Sequence, residues 1–166
     1  MNSRRAVTAS GATMMLLSAV VCAGCATVPA DPDGTFERAR GGTLVVGVSE
    51  HPPWTEVRPG EGDGDGDVTV TGTEADLVTG FAATIDAGIE WHTGPESVLA
   101  QAADDGEVDI VVGGLGPSSP WEDHFALTRP YVTSDGEDRV LGVRMGENRL
   151  LTELERYLAE QGGEPV

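Results

Sequence analysis

Hydrophobic and polar positions along the chain follow two rhythms. Thr43 to Val48 (TLVVGV) is almost unbroken apolar sequence, as a strand covered on both faces requires. Gly88 to Thr93 (GIEWHT) is a second short strand. Val108 to Val112 is a third, interrupted only by Asp109. Between them the spacing turns helical. Leu77, Val78, Phe81, Ala82 and Ile85 predict a helix that opens at Thr73 and ends by Gly88. Thr73 is the expected cap, with Asp76 completing a capping-box-like pair. Pro95 to Asp104 predicts another helix, with Pro95 near its first turn. Thr35 to Arg40 reads as a short helix capped by Thr35 and ended by Gly41-Gly42. Phe125 to Tyr131 and Arg139 to Met145 (RVLGVRM) read as further extended segments. Leu150, Leu151, Leu154 and Leu158 place an amphipathic helix at the end. Strands alternating with helices predict βαβ units and an α/β fold with a mostly parallel sheet flanked by helices.

Two strands run into loops of the same kind. Val108–Val112 leads into Gly113-Gly114-Leu115-Gly116-Pro117-Ser118-Ser119-Pro120-Trp121, and Thr43–Val48 leads into Ser49-Glu50-His51-Pro52-Pro53-Trp54. In open α/β sheets ligands bind just beyond the carboxyl ends of strands. Glycines there let a ligand approach the backbone. A strand, a turn and a core tryptophan would look alike, so these loops are candidates on spacing alone.

The first 25 residues change the expected location. Arg4 and Arg5 precede an apolar core, Ala12 to Ala23, that is shorter than the roughly 20 residues a spanning helix needs. Ala23-Gly24-Cys25 resembles the lipobox of bacterial lipoproteins, with Cys22 where Leu is usual. Residues 1–25 are therefore expected to be a lipoprotein signal peptide, with lipidation at Cys25. Ser3-Arg4-Arg5 only faintly resembles a twin-arginine signal, so Sec and Tat export both stay open. Residues 26–34 read as a flexible Pro/Asp/Gly tether, and 35–162 as the single folded lobe. The expected place is the outer face of the cytoplasmic membrane in the cell envelope, reached through a lipid anchor.

Charge and cysteine content narrow the partners. All 10 basic residues are arginine, against 28 acidic ones, for a net charge of −18. Losing Arg4 and Arg5 with the leader leaves eight arginines against the same 28 acids, a balance of −20. Such a chain is repelled by nucleic acid and by anionic lipid, so lipid and not charge must hold it at the membrane. The two cysteines, Cys22 and Cys25, both lie in the leader, so the lobe has no disulfide. Asp63, Asp65, Asp67 and Glu74 fall at positions 1, 3, 5 and 12 of an EF-hand-like loop. Val68 stands where that loop needs Gly, and an exposed acidic loop is the reading preferred. His51, His92 and His124 lack metal-ligand spacing. No nucleophile elbow, P-loop or dinucleotide fingerprint is present, so no metal, cofactor or enzymatic activity is expected.

Five segments occur in a telling order: Thr43-Leu44-Val45-Val46-Gly47-Val48, Pro52-Pro53-Trp54, Gly72-Thr73-Glu74-Ala75-Asp76-Leu77, Gly106 to Leu115, and Thr128-Arg129-Pro130-Tyr131. Over about residues 35–160 the set resembles the first lobe of the family 3 extracellular solute-binding proteins, the amino-acid-type receptors of ABC importers. The resemblance implies one lobe of a periplasmic-binding-protein-like fold that captures a small solute and delivers it to an ABC permease. It also implies ligand contacts near His51 and Trp54, and in the second loop at Gly114, Gly116, Ser118 and Trp121.

Two departures from the family shape the expected function. Trp121 stands where such receptors usually place the arginine that grips an α-carboxylate, and Gly116 stands where a hydroxyl residue is common. Tryptophan offers one N–H and a large apolar face. An aromatic, cationic or sugar-like solute, not gripped by its α-carboxylate in the usual way, fits these residues better. Trp121 could equally pack as a cap over its own loop. The second departure is length, because only Val132 to Asp138 separates Tyr131 from Arg139 where the family builds a second lobe. A single lobe covers one side of a small ligand. The alternative function is a lipid-anchored lobe that binds a membrane protein as a regulatory or sensing module without transport.

Overall fold

The computed structural model describes residues 29–60 and 68–162. The predicted leader, Cys25, and the acidic residues Asp63, Asp65 and Asp67 lie outside them.

A five-stranded sheet forms the centre, in the order β4-β1-β5-β9-β6. Strand β1 (Thr43–Val48) lies parallel to β4 (Gly88–Thr93) on one side and to β5 (Ile110–Val112) on the other. Strand β9 (Gly142–Arg144) runs antiparallel to both β5 and β6 (Phe125–Leu127). The sheet is thus mixed, with β9 reversed against four strands that share one direction. Two small hairpins stand outside it. One pairs β2 (Glu56–Pro59) with β3 (Val68–Thr71), and the other pairs β7 (Val132–Ser134) with β8 (Glu137–Arg139).

The pleat of the central strands explains their near-continuous apolar sequence. Leu44, Val46 and Val48 of β1, with Ile110 and Val112 of β5, face one core. There they meet α1 (Thr35–Ala39), α2 (Thr73–Thr84) and α4 (Asn148–Gly162) through Phe36, Val78, Phe81, Leu150 and Leu154. Val45 and Val111 point the other way, onto a second core built from Leu99, Ala102 and Ala103 of α3 (Glu96–Asp104) and from Phe125. Alternate residues of a strand line opposite faces, so both faces need apolar side chains.

Several local expectations change in the fold. The segment Arg139–Met145 is not one strand. Arg139 ends β8, Val140 and Leu141 enter the two different cores, and pairing resumes in β9. Between Leu127 and Tyr131 the chain likewise leaves the sheet. The final helix is longer than its leucines indicate, because polar residues at both ends continue it in solvent.

The predicted side-chain caps are absent. Gly34 and Gly72 occupy the positions before α1 and α2, and neither Thr35 nor Thr73 caps its helix. Thr35 is buried, and its hydroxyl has no partner among the described residues. More distant residues cap these helices. Asp31 accepts from the Phe36 N–H at 2.9 Å and, through its other oxygen, from Arg149 and Leu150 at the start of α4. Buried Glu147 accepts from the backbone of Asp33 and Thr35. Carboxylates suit helix N-termini because free N–H groups and the dipole converge there. Asp31 and Asp33, expected in the flexible tether, are therefore bonded into the lobe. Among the described residues no helix is long and apolar enough to cross a membrane.

Candidate solute-binding site

Both predicted loops lie where the sheet topology puts them, beyond the carboxyl ends of the neighbouring parallel strands β1 and β5. The first is closed on itself. The His51 N–H donates to the Thr55 carbonyl at 3.0 Å, and the buried Thr55 hydroxyl donates to the Ser49 carbonyl at 2.5 Å. The Pro52–Pro53 peptide is cis. The carbonyls of Pro53 and Trp54 then accept from the Thr73 and Glu74 N–H groups, so this loop caps α2 in place of the Thr73 side chain. Gly72 makes that approach possible. Its φ is 117°, and a Cβ there would lie 2.3 Å from the Trp54 oxygen.

The second loop is anchored by a residue that sequence reasoning assigned to the helix start. Glu74 is fully buried. One carboxylate oxygen accepts from the Gly113 N–H at 2.7 Å and the Gly114 N–H at 3.0 Å. The other accepts from the Tyr131 hydroxyl at 2.7 Å. Burial pushes the Glu74 carboxyl above its ordinary value of 4.5, opposed by the Gly114, Tyr131 and Gly113 bonds that favour the charged form. Burial, with the Glu74 charge beside it, also pushes the Tyr131 phenol up. The same contacts engage the residue that would fill the twelfth position of a calcium loop.

The two loops touch at Gly114. It has φ 68°, and a Cβ there would fall 2.8 Å from Trp54 Cδ1 and 3.1 Å from His51 Cγ. His51, Trp54 and Gly114 are thus brought together. Gly114, Gly116 and Ser118 line a cleft of about 470 Å³, whose other polar walls are Glu96, Glu137, Asp138 and Arg139. Trp121 faces elsewhere. Its ring packs beside the second core, and its indole N–H donates to Glu96 at 3.0 Å. Trp121 therefore acts on the cleft by holding Glu96 at its wall.

Arg139 is the site residue that the sequence did not reveal. Its guanidinium lies 5.4 Å from the centre of the Trp54 ring, and its Nη1 donates to the Gly114 carbonyl at 3.1 Å. Trp54 meets Tyr131 edge to face, with centroids 6.4 Å apart. Arg139 looked like the first residue of a buried strand, and no spacing rule links it to loops 25 residues away. His124 pairs with Asp104 on the exposed surface. Among the described residues no group of three or more metal-ligating side chains converges.

The rings of His51 and Trp54 thus pack against Gly114, while the cleft itself is lined by backbone, carboxylates and Arg139. The profile of the bacterial extracellular solute-binding proteins, family 3, matches residues 44–161. No curated protein matches the chain by sequence. Among solved structures, the arginine-bound form of domain 1 of the protein TmArgBP is similar at 22% identity and a TM-score of 0.62, covering 75% of this chain and 97% of that one. An ancestral cationic amino acid solute-binding protein aligns at 14% identity and a TM-score of 0.61, covering 79% and 93%. A Salmonella typhimurium periplasmic binding protein described for high arginine specificity aligns at 11% and 0.58, covering 74% and 94%. These likenesses establish the fold of one lobe, with the β7–β8 hairpin filling the interval between Tyr131 and Val140. Fold and profile together show that the chain belongs to the family 3 bacterial extracellular solute-binding proteins.

Proposed function

We propose that this protein is a lipid-anchored, extracytoplasmic solute-binding lobe of an ABC-type importer, taking a small cationic solute. The observation that carries the solute class is the charge of the cleft: among the described residues, Glu96, Glu137 and Asp138 line it against the one cation Arg139. Three carboxylates around one guanidinium favour an incoming positive charge. The solved neighbours named for arginine or cationic amino acids support the same class. Lipid attachment at Cys25, delivery to a permease and placement on the outer face of the cytoplasmic membrane rest on the Ala23-Gly24-Cys25 sequence and on family membership.

Titration calorimetry of the purified chain with lysine, arginine, putrescine and glutamate tests the solute class. Binding of the cationic compounds with none for glutamate is expected. Equal or tighter glutamate binding would sink the assignment. Because one lobe leaves part of a small ligand in water, affinities in the micromolar-to-millimolar range are expected, about −4 to −8 kcal/mol. Cys25→Ser should move the protein from the membrane fraction to the soluble fraction of cells. A variant that stays with the membranes would rule out the lipid anchor.

A further inference from the structure

The segment that leads into the lobe is fastened at one end of the sheet, and the cleft lies at the other. Strand β9 runs antiparallel to β5, so Arg144 at its end lies beside Asp109 just before β5, and its N–H donates to the Asp109 carbonyl at 2.9 Å. The Arg144 guanidinium pairs with Asp33. Asp31 accepts from the Phe36 N–H at 2.9 Å and from the Arg149 and Leu150 N–H groups at 2.7 and 3.1 Å, which ties the entering chain to the first turns of α1 and α4. Glu147 accepts from the Asp33 and Thr35 N–H groups at 3.3 and 3.1 Å, and Arg149 pairs with Glu37. This clamp sits at the end of the sheet where β1 and β5 begin. His51, Gly114 and Ser118 follow the carboxyl ends of the same two strands.

We infer that the clamp makes the cleft open away from the membrane to which the lobe is anchored. The inference rests on lipidation at Cys25, as proposed above, and adds to it the orientation of the lobe. Six residues lead from Cys25 to Asp31, and six residues span at most about 20 Å at full extension. A compact unit the size of residues 35–162 is about 36 Å across. The leash is therefore shorter than the lobe. An attachment point at the start of β1 and β5 cannot stand far enough from the bilayer for the cleft to lie between the two. The end of the sheet with Asp31, Asp33 and Arg144 faces the lipid, and the cleft meets solute arriving from outside. Presenting the cleft to the membrane requires the clamp to open. Freeing Asp31 to Gly34 lengthens the leash to ten residues, or about 35 Å extended, which matches the width of the lobe. Asp31 and Asp33 thus latch the lobe in its outward orientation.

The test measures the height of each end above a bilayer. The lobe has no cysteine after Cys25, so Ser118→Cys at the cleft and Glu107→Cys at the opposite end, both exposed, each accept one fluorescent donor. The mature lipidated protein is added to phosphatidylcholine vesicles that carry an acceptor dye on a lipid headgroup. Energy transfer should be at least roughly twofold stronger from position 107 than from position 118, because the two differ in height by most of the lobe's width. A flexible Gly/Ser stretch of about twelve residues inserted between Val28 and Pro29 should bring the two positions to nearly equal transfer. The double variant Asp31→Ala, Asp33→Ala, with its fold checked by thermal melting, should shift the ratio in the same direction by less. Equal transfer in the unaltered leash, or stronger transfer from position 118, would overturn the orientation while leaving the lipid anchor in place. A ratio that neither the insertion nor the double variant moves would overturn the latch. A protein that does not bind the vesicles overturns the anchor and the orientation together.

Discussion

Glu74→Ala is expected to lower the stability of the lobe by about 3 kcal/mol, a fall in Tm of roughly 10 °C. The substitution strips acceptors from the Gly113 and Gly114 N–H groups and from the Tyr131 hydroxyl. Each buried donor left without a partner costs about 1–3 kcal/mol, offset in part because a buried carboxylate is also removed. Glu74→Gln keeps an acceptor oxygen in nearly the same volume and should cost about 1 kcal/mol. The two variants also separate in pH dependence. Burial raises the Glu74 carboxyl above 4.5, so the folded lobe binds that proton more tightly than the unfolded chain. This group's contribution is therefore most favourable below about 4.5 and is lost as pH rises through the folded value. Relative to Glu74→Gln, the unaltered protein should gain stability as pH is lowered from 7 towards 5. Parallel urea-denaturation curves across that range would show that burial does not dominate at Glu74.

Asp109→Ala is the second large effect, at about 2–3 kcal/mol. Asp109 is 1% exposed and closes two links at once. One oxygen accepts from Arg38 of α1 at 2.5 Å, and the other from the Val45 N–H of β1 at 3.0 Å. Its own backbone N–H donates to the Val45 carbonyl. The side chain thus joins α1, β1 and the approach to β5, which is why an acid interrupts an otherwise apolar run. Arg38→Ala leaves the buried carboxylate without its cation and should cost about 2 kcal/mol; because Arg38 is 47% exposed, solvent screening keeps this below the range for fully buried pairs. The double variant should cost little more than Asp109→Ala alone, since both changes break one interaction. Additive losses in a double-mutant cycle would mean that the two residues act independently.

Much of the fold was legible in residue order. The apolar stretches at 43–48 and 108–112 became neighbouring parallel strands, the second over Ile110–Val112, because only a two-sided core tolerates such runs; the mixed stretch at 88–93 pairs with β1 at the sheet edge, with none of its residues fully buried. The helical spacing of Leu77, Val78, Phe81 and Ile85 became α2, with Val78 and Phe81 in the core. Boundaries failed where a distant residue decided them. Thr35 and Thr73 satisfied the local cap pattern, yet Asp31, Glu147 and the Pro53 and Trp54 carbonyls reached those N–H groups instead. Propensity rules see only neighbours in sequence, and these caps come from up to 112 residues away.

The candidate site divides in the same way. Periodicity and turn chemistry placed His51, Trp54, Gly114, Gly116 and Ser118 on loops at strand ends, because a glycine-rich break after a buried strand has few other uses. The role of Glu74 was not legible: an acid in a first helical turn reads as a dipole partner, and only the approach of the Gly113-Gly114 backbone turns it into an anchor. Nor was the division between Trp121 and Arg139. Trp121 lies in the loop by sequence but packs towards the second core, while Arg139 lies 25 residues from Gly114 and folds back onto it. Local pattern settled which segments are strands, helices and ligand-side loops, since those depend on neighbouring residues and burial period. The direction each charged side chain takes across the cleft was decided by tertiary packing, because a buried charge follows whichever distant partner satisfies it.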